Sequence, residues 1–136
     1  MSESLTAKAV LNELRLAPRK VSLVAGLVRG RTVEDAIVIL NNTPKRAAKP
    51  LRKLLESVRA NAINNHSMKS EGLRIETLSV TAGPRLKRYR PVPRGMAHPY
   101  QKRTSNILVV VRGEAKPAKK AKAEAKTTEA TEKESK

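Results

Sequence analysis

The stretch between Pro84 and Arg103 is dense in basic side chains and has no acidic ones. Its twenty residues include seven Lys or Arg, no Asp or Glu, and four of the eight prolines of the chain. The seven cations are Arg85, Lys87, Arg88, Arg90, Arg94, Lys102 and Arg103. An arginine guanidinium presents a planar fork of donors that matches phosphate oxygens. The pattern therefore indicates phosphate binding rather than catalysis.

A second basic cluster lies between Leu14 and Arg31, again without an acid. Its members are Arg15, Arg19, Lys20, Arg29 and Arg31. The first three surround the predicted start of a helix, where free backbone N–H groups can also meet a phosphate. The last two flank Gly30, where another backbone can approach closely. We predict that both basic clusters contact a polyanion.

The residue types that carry catalysis or bind metals are few and poorly spaced. His66 and His98 are the two histidines, and the chain has no cysteine. Glu34 and Asp35 are neighbours, so on a helix their side chains point about 100° apart and do not form a facing acid pair. No Gly-rich phosphate loop is present. We therefore expect no enzymatic activity, no metal ion and no cofactor.

The overall charge points to an anionic partner. The chain has 136 residues and a net charge of +17, which opposes compaction unless something negative neutralises it. No apolar run approaches the ~20 residues of a membrane-spanning helix, and the N-terminus lacks the pattern of a signal peptide. Without Phe or Trp and with two Tyr, a base-stacking platform is not available. We expect a cytoplasmic protein that binds nucleic acid through its charges.

The first half of the chain reads as helical. A first helix is predicted from Pro18, which suits a first turn, to Gly30, which ends the run. Its apolar stripe consists of Val21, Val24, Leu27 and Val28. Residues 7–16, which precede this helix, predict an edge strand or an extended arm.

Two more helices are predicted before residue 67. Thr32 and Asp35 resemble an N-terminal capping pair, which places the start of the second helix there. The pattern breaks at residues 41–44, and a third helix is predicted over roughly 45–66. Pro50 falls early in that segment, so either the true start lies nearer Lys49 or the first turn is irregular.

The second half of the chain reads as strands. Leu73 and Ile75 alternate with polar residues, whereas Leu78 and Val80 take the other parity, which predicts either a bulge or burial on both faces near Thr77. Residues 107–111 form a continuous apolar run of strand-forming types, as expected for a central strand.

The segment between these two strands has no helical signal and predicts a long hairpin. We place the hairpin at about residues 81–107, with its turn within 91–95 and a reach of about 40 Å. An isolated ribbon with unopposed like charges is marginal in water. We expect it to become ordered where anions surround it.

Three segments of the sequence are similar to those of one known family. They are APRKVSLVAGLVRG (17–30), VRANAINN (58–65) and GPRLKRYRPVPRGMAHPYQKRTSNILVVV (83–111). In this order and spacing the chain resembles the large-subunit ribosomal proteins known as L-twenty-two, over about residues 5–112. The resemblance implies a small α+β domain with three helices on a three-stranded antiparallel sheet, from which a long β-hairpin projects.

The resemblance also implies a location and a set of partners. The globular part is expected near the exit of the peptide tunnel, and the hairpin is expected to enter the large-subunit rRNA and support subunit assembly. Expected partners are this rRNA, neighbouring ribosomal proteins and the nascent peptide, with no membrane and no homo-oligomer. The expected RNA contacts are the two basic clusters together with Thr104 of the KRTS motif. The expected tunnel-lining tip comprises Arg88, Tyr89, Arg90, Pro91, Val92, Pro93, Arg94, Gly95 and Met96.

The chain is expected to divide into two regions. Residues 1–112 are predicted to form the RNA-binding domain, including the hairpin. Residues 113–136 are rich in Ala, Lys and Glu and have no large apolar residue. Such a segment cannot bury enough surface to offset its ordering entropy, so we predict a disordered tail.

Two other protein classes stay open on the residues alone. A DNA-architectural protein can use a basic β-arm, with Pro91 and Pro93 as wedges between base steps. Such arms act as symmetric pairs, and no large apolar dimer face is evident in the sequence. A protein that binds anionic membranes needs a strongly amphipathic basic helix, which the sequence does not show.

Overall fold

The computed structural model describes residues 4–114. Three helices and three strands follow one another along the chain, and the α+β class is the one the sequence predicted. The elements are β1 (Ser4–Leu14), α1 (Pro18–Val28), α2 (Val33–Asn42), α3 (Ala48–His66), β2 (Arg74–Pro91) and β3 (Ala97–Glu114). A short 3-10 turn, Pro93–Gly95, joins β2 to β3.

The three strands form one antiparallel sheet in the order β1-β3-β2. The segment 107–111 lies in β3 and is central, as predicted, and β1 is an edge strand rather than a free arm. The register of β2 on β3 shifts between Ile75 and Thr77, which confirms the predicted bulge. The shift lets Ile75 and Leu78 both reach the core despite their opposite parity.

The helices cover one face of the sheet. Ile107, Val109 and Val111 of β3 are fully buried beneath them, whereas Leu108 is 36% exposed on the opposite face. Within residues 4–114 no element covers that opposite face, so the central strand is buried on one side.

The ends of the helices follow the predicted chemistry. The backbone N–H of Asp35 donates to Thr32 Oγ1 at 3.2 Å, and the Thr32 hydroxyl donates to Asp35 Oδ2 at 2.6 Å. This is the capping pair expected at the start of α2. α3 begins at Ala48, close to the expected Lys49, and α1 begins at Pro18.

One apolar position of α1 is exposed rather than buried. Val21, Val24 and Val28 are buried as predicted, whereas Leu27 is 49% exposed. Ala25, which is absent from the predicted stripe, is fully buried instead. A small residue suits this position because the helix backbone lies close to the sheet here.

The boundary of the predicted tail lies further along the chain than expected. Gly113 and Glu114 belong to β3, and the backbone N–H of Lys69 donates to the Glu114 carbonyl at 3.0 Å. Lys69 and Glu114 also form an ion pair at 3.2 Å. The remainder of the predicted tail, 115–136, lies outside the described residues.

Candidate nucleic-acid interface

The predicted hairpin is present as a two-stranded extension of β2 and β3. The last pair that β1 makes with β3 is Leu14 with Ser105. Beyond it, paired residues run from Arg85↔Arg103 to Pro91↔Ala97, and we call this part, 84–103, the arm. Seven residues per strand span about 23 Å. The arm is shorter than the predicted 40 Å because residues on either side of it still belong to the three-stranded sheet.

The arm has no core of its own. Between Lys87 and Gln101 every side chain is exposed except that of Val92, which is partly buried. The ion pairs found in the described part of the chain are Arg52–Glu56, Arg59–Glu34 and Lys69–Glu114, and none lies on the arm. The arm cations therefore face solvent without an acidic neighbour in their own segment.

The pairing register distributes the arm cations over both faces of the ribbon. Residues directly opposite each other on two strands share a face, and successive residues alternate between faces. One face carries Arg85, Lys87 and Arg103, whereas the other carries Arg88, Arg90 and Lys102. A ribbon with cations on both faces can neutralise phosphates on both sides. A ribbon that binds a flat polyanion would need its cations on one face only.

The tip of the arm is a tight turn within the predicted range. The backbone N–H of Val92 donates to the Met96 carbonyl at 2.9 Å and closes it. Arg94 and Gly95 both have positive φ, at 64° and 69°. This conformation is unusual for an arginine and places its side chain at the extreme end of the arm.

The base of the arm is held by Thr104 and Gly83. The Thr104 hydroxyl donates to the Pro84 carbonyl at 2.6 Å, and Thr104 is 3% exposed. A Cβ on Gly83 would lie 2.5 Å from Thr104 Oγ1, so only glycine fits beside it. Thr104 therefore stabilises the base of the arm through this hydrogen bond. Its direct contact with RNA stays a prediction.

The structure brings one member of the second basic cluster, Arg19, to the base of the arm. Arg19 of α1 and the paired Arg85 and Arg103 line one pocket, which we call the arm-base pocket. Ala17, Pro18, Ala82, Gly83 and Thr104 complete its lining. Ala17 precedes the helix without a capping side chain, and the first turn has no acid. Three arginine residues thus border a pocket that also lies at the positive end of a helix dipole.

The remaining predicted contacts lie elsewhere along α1. Arg15 is exposed in the bend before the helix, and Lys20 is exposed in its first turn. Arg29 and Arg31 lie past the other end, about 16 Å away along the helix axis. The Arg29 Nε–H donates to the Leu78 carbonyl at 3.0 Å, a contact that the sequence did not predict.

No group of three or more His, Cys, Asp or Glu side chains within residues 4–114 is arranged to hold a metal ion. None of the helices described here is both long enough and apolar enough to cross a bilayer.

The protein is a small α+β domain with a basic β-hairpin that projects from its sheet and carries no acidic residue. Residues 9–112 match the family profile described as ribosomal protein L22p/L17e. The chain is also 47% identical over 108 residues to the large ribosomal subunit protein uL22 of Mesoplasma florum, covering 79% of this chain and 96% of that protein. The chain belongs to the L22p/L17e family of ribosomal proteins, which confirms the resemblance seen in its sequence.

Proposed function

We propose that this protein is a structural constituent of the large ribosomal subunit that binds large-subunit rRNA through its arm and arm-base pocket. The single observation that carries the proposal is the arm itself, with cations on both faces, no acid and no core. Membership of a ribosomal protein family supports rRNA as the polyanion that the arm binds. The mechanism is charge neutralisation and fit to the shape of the RNA rather than chemistry on a bond.

The two parts of the interface have different tasks in this mechanism. The arm-base pocket receives a phosphate at the point where the arm leaves the sheet, with Arg19, Arg85 and Arg103 around it. That contact fixes the direction in which the arm enters the RNA. Phosphates along both faces then neutralise the repulsion among the arm cations, which supports folding of the RNA around the arm and hence subunit assembly.

The proposal extends to the position of the protein in the subunit, which rests on the family resemblance. We place the globular part at the subunit surface near the exit of the peptide tunnel, and the tip, 88–96, at the tunnel wall. Exposed Tyr89 and Met96, at 74% and 61%, then face the nascent peptide or nearby RNA. Neighbouring ribosomal proteins complete the set of partners, and the location of the particle is the cytoplasm.

The first test removes three charges from the far half of the arm. The variant Arg88→Gln/Arg90→Gln/Arg94→Gln is titrated against large-subunit rRNA over a range of salt concentrations. The slope of log affinity against log salt is expected to flatten by roughly 0.7 to 0.9 for each phosphate that the variant no longer neutralises. The measurement is filter binding with the full chain.

A matched control removes the same charge from outside the arm. Lys45→Gln/Arg46→Gln/Lys49→Gln changes three exposed cations in and before the first turn of α3. It is expected to leave the slope nearly unchanged. Equal slopes for the wild-type chain and the arm variant contradict direct phosphate contact. Equal affinity for duplex DNA and rRNA favours a DNA-architectural role instead.

A further inference from the structure

A shallow groove runs between the edge strand β1 and the first half of α3. Its floor and walls are mostly apolar, and its rim carries two lysines and no acid. The lining residues are Val10, Leu11, Leu14, Lys49, Pro50, Lys53, Leu54 and Ser57. The groove lies outside the arm and outside the arm-base pocket, so RNA binding as proposed above does not use it.

The two edges of the sheet differ in how their backbone groups are satisfied. On β2, the Ile75 N–H donates to the Arg31 carbonyl at 3.0 Å, and the Leu78 carbonyl accepts from Arg29 at 3.0 Å. On β1, the Lys8 carbonyl accepts from Asn61 Nδ2 at 3.4 Å, which is long for a hydrogen bond. The β2 edge is thus closed by the segment that joins α1 to α2, whereas the β1 edge is nearly open.

The Asn61 contact also shows which backbone groups of β1 point outward. Because the Lys8 carbonyl points away from β3, the amide groups two residues on, at Val10, point the same way. An open edge normally carries charged side chains or proline that block strand addition. Lys8 is one such charged residue at this edge, whereas Val10, beside the groove, is apolar, 54% exposed and paired with the partly exposed Leu108. The register with β3 shifts between Leu11 and Leu14, so the regular part of the edge ends at Leu11.

We propose that this groove binds an extended segment of a partner protein, which adds to β1 as a fourth strand and alternates acidic with apolar residues. Lys49 and Lys53 are four residues apart on α3, which corresponds to about 6 Å along the helix. Two residues of a strand span about 6.6 Å, so acids at every second position match the two lysines. The intervening apolar side chains extend the row formed by Leu108 and Val10 on the open face of the sheet.

The chemistry of the groove favours a polypeptide over RNA. A nucleic acid satisfies the lysines but offers neither aliphatic side chains for Val10 nor backbone amides for a strand edge. A peptide strand supplies acidic groups for the lysines, aliphatic side chains and backbone amides, by the mode of recognition known as β-augmentation. The charge complementarity of the lysine rim selects an acidic strand.

The test uses defined octapeptides and the full chain. A peptide of alternating valine and glutamate is titrated at about 150 mM salt and followed by backbone NMR. Saturable shifts are expected at residues 10–14 and 49–57. Three other peptides are expected to bind at least about tenfold more weakly: valine–lysine, serine–glutamate, and valine–glutamate with alternate amides N-methylated.

Charge exchange on the rim supplies a second readout. Lys49→Glu/Lys53→Glu places two exposed changes on the groove and is expected to invert the preference, so that the valine–lysine peptide binds about tenfold more tightly than valine–glutamate. Lys45→Glu/Arg46→Glu alters the net charge equally but lies outside the groove, and the preference is expected to persist. Circular dichroism checks that both variants retain the fold.

Several outcomes overturn this inference. An unchanged preference in the rim variant excludes recognition by the two lysines, and equal binding of serine–glutamate excludes the apolar contacts. Equal binding of the N-methylated peptide excludes addition as a strand. Equal shifts at the same residues with a uridine octanucleotide assign the groove to RNA. Shifts there on deletion of residues 115–136 assign it to the chain's own C-terminal segment, and dimerisation through these residues assigns it to a second copy.

Discussion

Gly83 and Gly26 have opposite effects on the stability of the fold. Gly83 lies where a Cβ would be 2.5 Å from Thr104 Oγ1, so the base of the arm depends on the absence of a side chain. Gly26 lies within α1, is exposed, and has open space where a Cβ would be. Nothing inside the described residues requires glycine at position 26, where it lowers helix stability relative to alanine.

The contrast predicts stability changes of opposite sign. Gly26→Ala is expected to raise the free energy of unfolding by about 0.5 to 1 kcal/mol, because alanine loses less backbone entropy in a helix. Gly83→Ala is expected to lower it, since Thr104 must move away from the added carbon and weaken its bond to Pro84. Urea unfolding of the two single variants measures both signs. A destabilising Gly26→Ala contradicts the exposure of this helix face.

At the scale of elements, the arm and the globular part are separable. The buried apolar cluster uses the helices, β1, and the parts of β2 and β3 that lie inside the three-stranded sheet. None of its buried members lies within 84–103. The arm contributes almost nothing to the core, so its order is decided by pairing between two strands and by whatever surrounds it.

Deleting residues 84–103 is expected to leave a domain that still unfolds cooperatively. The thermal midpoint is expected to change little, because the deletion removes mainly exposed strand pairs and the Thr104–Pro84 hydrogen bond. Thermal unfolding followed by circular dichroism makes the measurement, with the full chain as the reference. A broad, non-cooperative transition contradicts the separation of arm and core.

At the scale of the whole molecule, repulsion among the excess cations destabilises the folded state. The chain has 29 Lys and Arg against 12 Asp and Glu, and the ion pairs Arg52–Glu56, Arg59–Glu34 and Lys69–Glu114 of the described part are exposed. Exposed ion pairs of this kind add little stability. The free protein therefore folds against its own electrostatic repulsion, which the proposed RNA partner removes.

This repulsion predicts that the free protein becomes more stable as salt rises. Screening shortens the range of the repulsion, from about 30 Å at 0.01 M to about 8 Å at 0.15 M ionic strength. The urea midpoint of the isolated chain is expected to rise between these two chloride concentrations. The arm deletion removes seven cations, so its midpoint is expected to depend less on salt. The same salt dependence in both chains assigns the effect to the globular part alone.

Much of the local structure followed from neighbours in the sequence. The capping pair of Thr32 and Asp35, the break before Pro44 and the turn at 93–95 depend on residues a few positions apart. The bulge near Thr77 followed from a change in alternation. Each of these features is decided by backbone geometry and short-range hydrogen bonds, which local residue types specify.

Other features were beyond sequence reasoning because they join distant segments. Leu27 satisfies the helical spacing, yet Ala25 takes the buried position because the sheet meets α1 on that side. Thr104 directly follows the basic segment, yet it is buried where β3 leaves the three-stranded sheet. Neither outcome has a signal within the neighbouring residues.

The sequence by itself determined that the protein carries an acid-free basic arm, three helices and a family resemblance, because composition, spacing and motif are properties of the chain. Only the tertiary structure decided that Arg19 meets Arg85 and Arg103 in one pocket, and that the open edge of β1 lies beside two lysines of α3. The physical reason is that both sites are made by residues more than thirty positions apart, which packing of the helices on one face of the sheet brings together.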